Sequence, residues 1–147
     1  TNVNHSLFPD GIWLEDIDRQ ARHWVARNSE TKELLGVARL TIHSTIEDNP
    51  DGYLWIKNNL TDRLKSPVAH LCKLAVSSSA RGLGIGQKLS EIRIEAAKLS
   101  GAQSVIVTAS PANASILGKL GFIDTGIREI FPNRPTFEFY AMDLLLS

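Results

Sequence analysis

The chain divides by the spacing of its apolar residues. From Arg22 to Arg27 apolar and polar positions alternate: His23, Val25 and Arg27 take one side, Trp24 and Ala26 the other. That is the period of a half-buried strand. The polar run 28–32 makes a turn, and Leu34 to His43 returns rich in Leu, Val, Thr and Ile, so the two segments predict an antiparallel hairpin. Residues 44–67 are less regular. Asn49-Pro50-Asp51-Gly52 predicts a turn, Tyr53 to Ile56 is a short aromatic-aliphatic run, and Asn58 to Leu64 predicts a helical turn.

From Val68 the pattern sharpens. Ala69 to Val76 reads as a strand, followed by Ser77 to Ala80 and the glycine-rich stretch Arg81 to Gly86. Ile85, Leu89, Ile92, Ala96 and Leu99 then recur at spacings of four and three, with Lys88, Glu91 and Glu95 on the solvent side, which predicts an amphipathic helix. Gly101 is placed to end it in the left-handed conformation. Gln103 to Ala109 is a buried-looking strand, parallel to the one before the helix by the logic of a strand-helix-strand unit. A short helix from Ala112 to Leu120 ends at Gly121, and two strands, Phe122 to Ile130 and Thr136 to Leu144, flank the turn at 132–135. The order predicts an α/β protein of the mixed-sheet (α+β) kind, with a central strand-loop-helix-strand unit.

Composition narrows the class without choosing a function. The 147 residues are one domain's worth, expected as a single unit over 1–147, and 43% hydrophobic with 22% charged residues is ordinary for a globular chain. Sixteen basic residues balance sixteen acidic ones, so no overall field favours a nucleic acid or an anionic membrane, and neither is an expected partner. Apolar runs such as Ser104 to Ala109 and Ala141 to Leu146 are far shorter than the roughly 20 residues that span a bilayer. The N-terminus, with a turn signal at Asp10-Gly11 and acids at Glu15, Asp16 and Asp18, does not read as a signal peptide. Cys72 is the single cysteine, so it forms neither an internal disulfide nor a thiolate metal site; no metal is expected, and a cytoplasmic location is.

Candidate chemistry centres on Arg81 to Gly86, between a strand and a helix N-terminus. Glycines there let several backbone N–H groups converge where the helix dipole adds positive potential, a geometry that binds phosphate. A dinucleotide fingerprint counted from Gly82 needs glycine at position 87, which is Gln87, and no acid ends the following strand. A nucleotide P-loop needs a different spacing and a Lys-Ser/Thr pair that is missing. What stands is R-x-x-G-x-G, built of Arg81, Gly84 and Gly86 after a strand ending Leu-Ala-Val. In this the sequence resembles the GCN5-related N-acetyltransferase (GNAT) superfamily. Leu117-Gly118-Lys119-Leu120-Gly121-Phe122 resembles that family's later helix end, and the resemblance runs from about Ala21 to Leu144.

The resemblance implies acetyl-CoA as cosubstrate. Its pantetheine arm would pair with backbone at Leu74, Ala75 and Val76, and its pyrophosphate would sit on N–H groups of Arg81, Gly82, Leu83, Gly84, Ile85 and Gly86. Asn113 would contact the same arm, although capping the short helix is an equal account of it. The strand position of His70 carries a glutamate base in several members, and Ala69 to Cys72 resembles the serotonin N-acetyltransferase branch, with histidines at the places of His70 and Cys72. His70 is therefore a candidate general base; a sheet histidine hydrogen-bonded for packing is the other reading. The family's tyrosine, which would protonate the departing thiolate, falls at Leu117, and Tyr140 is the substitute acid. A covalent intermediate on Cys72 is disfavoured because a lone strand cysteine is usually a small buried hydrophobe. The family places a strand and two helices before the hairpin, whereas about twenty residues precede it here, so 1–20 is short or truncated relative to the family. Trp13, Trp24, Tyr53 and Trp55 either line an acceptor pocket or fill core.

The leading expectation is transfer of acetyl from acetyl-CoA to a primary amine of a small molecule or peptide by direct attack. The alternative is a CoA-binding sensor or interaction module with little or no catalysis, which the missing tyrosine and short N-terminus favour. Transfer of a longer acyl group to a hydroxyl or lactone-forming acceptor is a third reading. The final strands are the candidate surface for a homodimer.

Overall fold

A computed structural model describes residues 21–131 and 133–146. The expectations for residues 1–20, Trp13 among them, lie outside the described residues. Six strands form one sheet: β1 (Arg22–Arg27), β2 (Leu34–His43), β3 (Val68–Val76), β4 (Ser104–Ala109), β5 (Ile123–Phe131) and β6 (Arg134–Leu145), in the spatial order β1-β2-β3-β4-β6-β5. Three helices join them: α1 (Tyr53–Lys57), α2 (Ile85–Leu99) and α3 (Pro111–Lys119). The pair β3–β4 is parallel and every other pair antiparallel, as the single helical crossover through α2 requires.

Two apolar layers cover the two faces. On one, α2 and α3 close over Leu40, Ala69, Leu71, Val105, Val107 and Met142, with Trp24 packed at the margin. On the other, α1 and the turn of 46–48 bring Ile46, Leu54 and Trp55 onto Val68, Ile106 and Ala141. Alternation along β3 sends Val68 and Ala69 to opposite layers, and it places His70 on the α1 face. Gly101 and Gly121 end α2 and α3 with φ of +87° and +100°, the left-handed stops the pattern predicts.

Three expectations change. The aromatic-aliphatic run is itself a helix, Tyr53–Lys57, and the helical turn expected in 58–64 is the 3₁₀ turn Thr61–Arg63. Leu99, expected on the buried stripe of α2, is 80% exposed, and Arg93 is buried instead. Its guanidinium is satisfied by three carbonyls and a hydroxyl: Nε donates to the Leu89 carbonyl, Nη1 to those of Arg39 (3.2 Å) and Cys72 (3.4 Å), and Nη2 to Ser90 Oγ. Trp55 and Trp24 belong to the core layers rather than to an acceptor pocket.

Trp55 also anchors the irregular segment through a buried polar knot. Its Nε1 donates to Asp143 Oδ2 at 3.1 Å, and Arg63 grips the same carboxylate with Nε at 2.8 Å and Nη2 at 2.7 Å. Removing the acceptor leaves an indole N–H and a guanidinium facing a void. Asp143→Ala should cost about 2–4 kcal/mol in urea unfolding, toward the low side because Arg63 keeps access to water. Arg63→Ala should cost less.

Candidate active site

The site begins with a fault in the sheet. β3 pairs with β4 from Val68–Ser104 to Leu71–Val107 and no further, although β3 continues to Val76 and β4 to Ala109. Just past that point the β2–β3 register slips: Val37 opposes Ala75 and Arg39 opposes Cys72, so Ala38 faces two residues, Lys73 and Leu74. This is a β-bulge, and it bends the strand away from its parallel neighbour. Lys73 takes a left-handed φ of 51° there. Arg93 donates to carbonyls on both strands beside the bulge and so ties α2 to the bent region.

The parted strands open a cavity of about 560 Å³ whose lining includes Asp51, His70, Leu74, Thr108, Asn113 and Glu129. On the α1 face, His70 is buried, and its Nε2 meets Asp51 Oδ2 at 3.1 Å. Thr108 Oγ1 donates to the same oxygen at 3.3 Å. Burial pushes the Asp51 carboxyl upward, but the hydrogen bond and charge of His70, the Thr108 hydroxyl and the charge of Arg39 together hold it below the usual carboxylate range. Asp51 is therefore an anion at neutral pH. Cys72, hydrogen-bonded by Arg39 Nε at 2.9 Å, is the opposite case: burial pushes its thiol up, which keeps it a poor nucleophile.

Toward α3, Asn113 lines the same cavity and its Oδ1 is buried without a hydrogen-bond partner. The helix cap is not Asn113 but Ser110, whose Oγ accepts from the Asn113 N–H. Leu74 lines the cavity, while Ala75 and Val76 lie beyond it, their ladder bonds made only toward β2. Their β4-facing edge is left for another partner.

The glycine loop leads into α2. Gly82 and Gly84 have φ of +83° and +78°, and Gly84 caps the helix with no side-chain hydrogen bond. Among the described residues, the N–H groups of Gly84, Ile85 and Gly86 donate to no backbone carbonyl. A Cβ on Gly82 or Gly84 would meet nothing within 4 Å, so the glycines serve backbone conformation and leave open space. Unpaired backbone donors at a helix N-terminus, an unpaired strand edge and an unsatisfied Asn113 oxygen fit a ligand with pyrophosphate and amide groups.

Tyr140 stands apart from this group. It does not line the cavity, and its ring lies under the Arg128 guanidinium at 3.6 Å. Leu117, at the expected tyrosine position, is wholly buried in the α2–α3 layer. The aromatic side chain that does line the cavity is Phe139, and sequence reasoning had passed over it along with Asp51 and Glu129. Asp51 carried a signal only as a turn residue, and its approach to His70 is a tertiary fact.

The family model for the acetyltransferase (GNAT) family matches residues 2–122. The chain belongs to the GNAT family. Solved structures share the fold at low identity, which bears on architecture alone. A ribosomal-protein-alanine N-acetyltransferase from Brucella melitensis is 21% identical with a TM-score of 0.65, covering 99% of this chain and 81% of that one. A GCN5-related N-acetyltransferase from Kribbella flavida is 20% identical with a TM-score of 0.59, over 86% of this chain and 68% of that one. The NatC complex bound to Gag peptide and CoA contains a chain 17% identical with a TM-score of 0.61, over 99% of this chain and 82% of that one. No curated protein sequence matches. Among the described residues of this GNAT domain, no helix is long and apolar enough to cross a membrane, and no group of three His, Cys, Asp or Glu side chains could hold a metal ion.

At the cavity edge the Tyr53 hydroxyl donates to Glu129 Oε2. Burial and the Glu129 carboxylate push the Tyr53 pKa up to about 12. Ultraviolet titration should therefore show one tyrosine ionising about two units late, and Glu129→Gln should return it toward about 10. An unchanged titration in that variant would disprove the pairing.

Proposed function

We propose that this GNAT domain transfers acetyl from acetyl-CoA to a primary amine of a small molecule or peptide by direct attack, with His70 as general base. The observation that carries the reading is the cavity at the parting of β3 and β4, which has the His70–Asp51 pair on one side and Asn113 on the other. Leu74 to Val76 and Asn113 would hold the pantetheine arm, and N–H groups between Gly82 and Gly86, those of Gly84, Ile85 and Gly86 foremost because Leu83 donates to the Ala80 carbonyl, would take the pyrophosphate with the Arg81 charge beside them. Bound acetyl-CoA supplies an activated thioester.

The acceptor arrives as an ammonium, because an alkylamine with a pKa near 10 is mostly protonated at neutral pH. The α1 side of the cavity carries the carboxylates of Asp51 and Glu129 beside the Arg39 guanidinium, so an entering ammonium meets charge of both signs. His70 accepts the ammonium proton, directly or through a water, so that the nitrogen lone pair can bond to the acyl carbon as the carbon–sulfur bond breaks; the second proton the nitrogen sheds as the amide forms goes to the departing thiolate or to water. The thiolate leaves without a protein acid: Leu117 has no proton to give, Tyr140 lies off the cavity, and Tyr53 is held by Glu129. Ordinary thiols have pKa values near 8.5, so the thiolate is a tolerable leaving group. A cytoplasmic location and pairing of two copies through the final strands complete the reading; Ile123, Ile130 and Phe137 are exposed there.

Calorimetric titration with acetyl-CoA, CoA and NADH in parallel should show binding of the two CoA species alone. Thiol release with putrescine, tyramine and an alanyl peptide as acceptors should then show turnover. His70→Ala should lower kcat by about 10²- to 10⁴-fold while keeping acetyl-CoA affinity. Binding of CoA without turnover on any amine would favour the sensor reading, and no CoA binding by folded protein would reject both.

A further inference from the structure

The segment between β2 and β3 is built to deliver one carboxylate. Asn49, itself buried, accepts the Asp51 N–H on its Oδ1 at 2.8 Å, and the Gly52 N–H closes the turn on the Asn49 carbonyl at 3.0 Å. A Cβ at Gly52 would lie 2.1 Å from the Ile46 carbonyl oxygen, so only glycine lets the chain pass there. Directly behind, α1 is clamped to the sheet by Leu54 and by Trp55, whose indole is bound to Asp143. The Asp51 backbone is thus held between Asn49 and Gly52.

We propose that Asp51 is a positioning residue for the transfer reaction: its carboxylate holds the His70 imidazole in the tautomer protonated on Nε2, which leaves Nδ1 as the proton-accepting atom. The proposal rests on the reading of His70 as the base. An ionised carboxylate only accepts hydrogen bonds, so an imidazole nitrogen 3.1 Å from Oδ2 is favoured to carry the hydrogen whether the ring is neutral or charged. Thr108 donates to that same oxygen from β4 and keeps the carboxylate from swinging away. Among the described residues the partner of the ring is Asp51, and it is met on the Nε2 side, which leaves Nδ1 for the acceptor. On β2 and β4, the strands flanking β3, the residues opposite His70 are Thr41 and Ile106, and neither bears a charge. When Nδ1 takes the acceptor's proton, the imidazolium that forms already faces a paired anion, which stabilises the charge where it develops.

The test combines nitrogen NMR of labelled histidine with kinetics on Asp51→Asn, Asp51→Ala and Asp51→Glu. In the parent protein the His70 signals, assigned by their loss in His70→Gln, should report hydrogen on Nε2 and a bare Nδ1. Asp51→Ala should give a mixture of tautomers. With putrescine or tyramine as acceptor, Asp51→Asn should lower kcat about 10- to 1,000-fold with the KM for acetyl-CoA unchanged, and Asp51→Glu should recover part of the loss. If Asp51→Ala fails to fold, Thr108→Val replaces it and should move tautomer and kcat the same way by a smaller amount. An unchanged tautomer in these variants overturns the proposal, as does full kcat in Asp51→Asn when His70→Ala has lost turnover. Turnover untouched in His70→Ala sinks the base assignment itself and the positioning role with it.

Discussion

The parting of β3 from β4 is the constraint on which the site depends. Two parallel strands in a sheet normally satisfy each other along their whole length, and an unpaired central strand edge leaves buried peptide groups without partners. This chain accepts that cost where Lys73 bulges out of register, and it holds the bend from behind with Arg93. Among the described residues no carboxylate pairs with this buried guanidinium, which is unusual; burial lowers its pKa to about 10, still high enough to keep it charged. Two of the acceptors it uses are the Arg39 and Cys72 carbonyls beside the bulge. The groups that stabilise the opening thus lie beside the irregularity that makes it.

The two sides of that opening differ in kind. Toward α2 and α3 the available contacts are backbone N–H groups, a free strand edge and one unsatisfied amide oxygen, suited to a long polar cofactor arm gripped mostly through main chain. Toward α1 the contacts are side chains with charge: Asp51, His70, Arg39 and Glu129. Side-chain chemistry changes freely with sequence while backbone geometry survives, which accounts for a shared fold at about one-fifth identity.

The charged side is held in place by the segment between β2 and β3. The Asp143 carboxylate binds Trp55 and Arg63 at once and so connects α1 and the 3₁₀ turn to the far half of the sheet on β6. Asp51 lies between this anchor and the His70 imidazole. Its position depends on the core beneath α1 as much as on its own turn.

Much of the architecture was legible because it rests on local periodicity. Alternation marked β1 and β2, the glycines at 101 and 121 marked helix ends, and R-x-x-G-x-G at 81–86 marked the turn into α2, since each needs only near neighbours to act. The same reasoning misplaced Leu99 and left Arg93 unseen, because a helix stripe counts apolar residues and cannot anticipate carbonyls in another element. It divided Asn113 between two roles that only the Ser110 cap could separate. The site's charge was also out of reach: Asp51 and His70 are separated along the chain by a helix and two turns, and they meet only after the segment folds back over β3. The fold and the glycine loop that opens α2 were determined by the sequence through local spacing; which side chains line the cavity was decided by packing between distant segments.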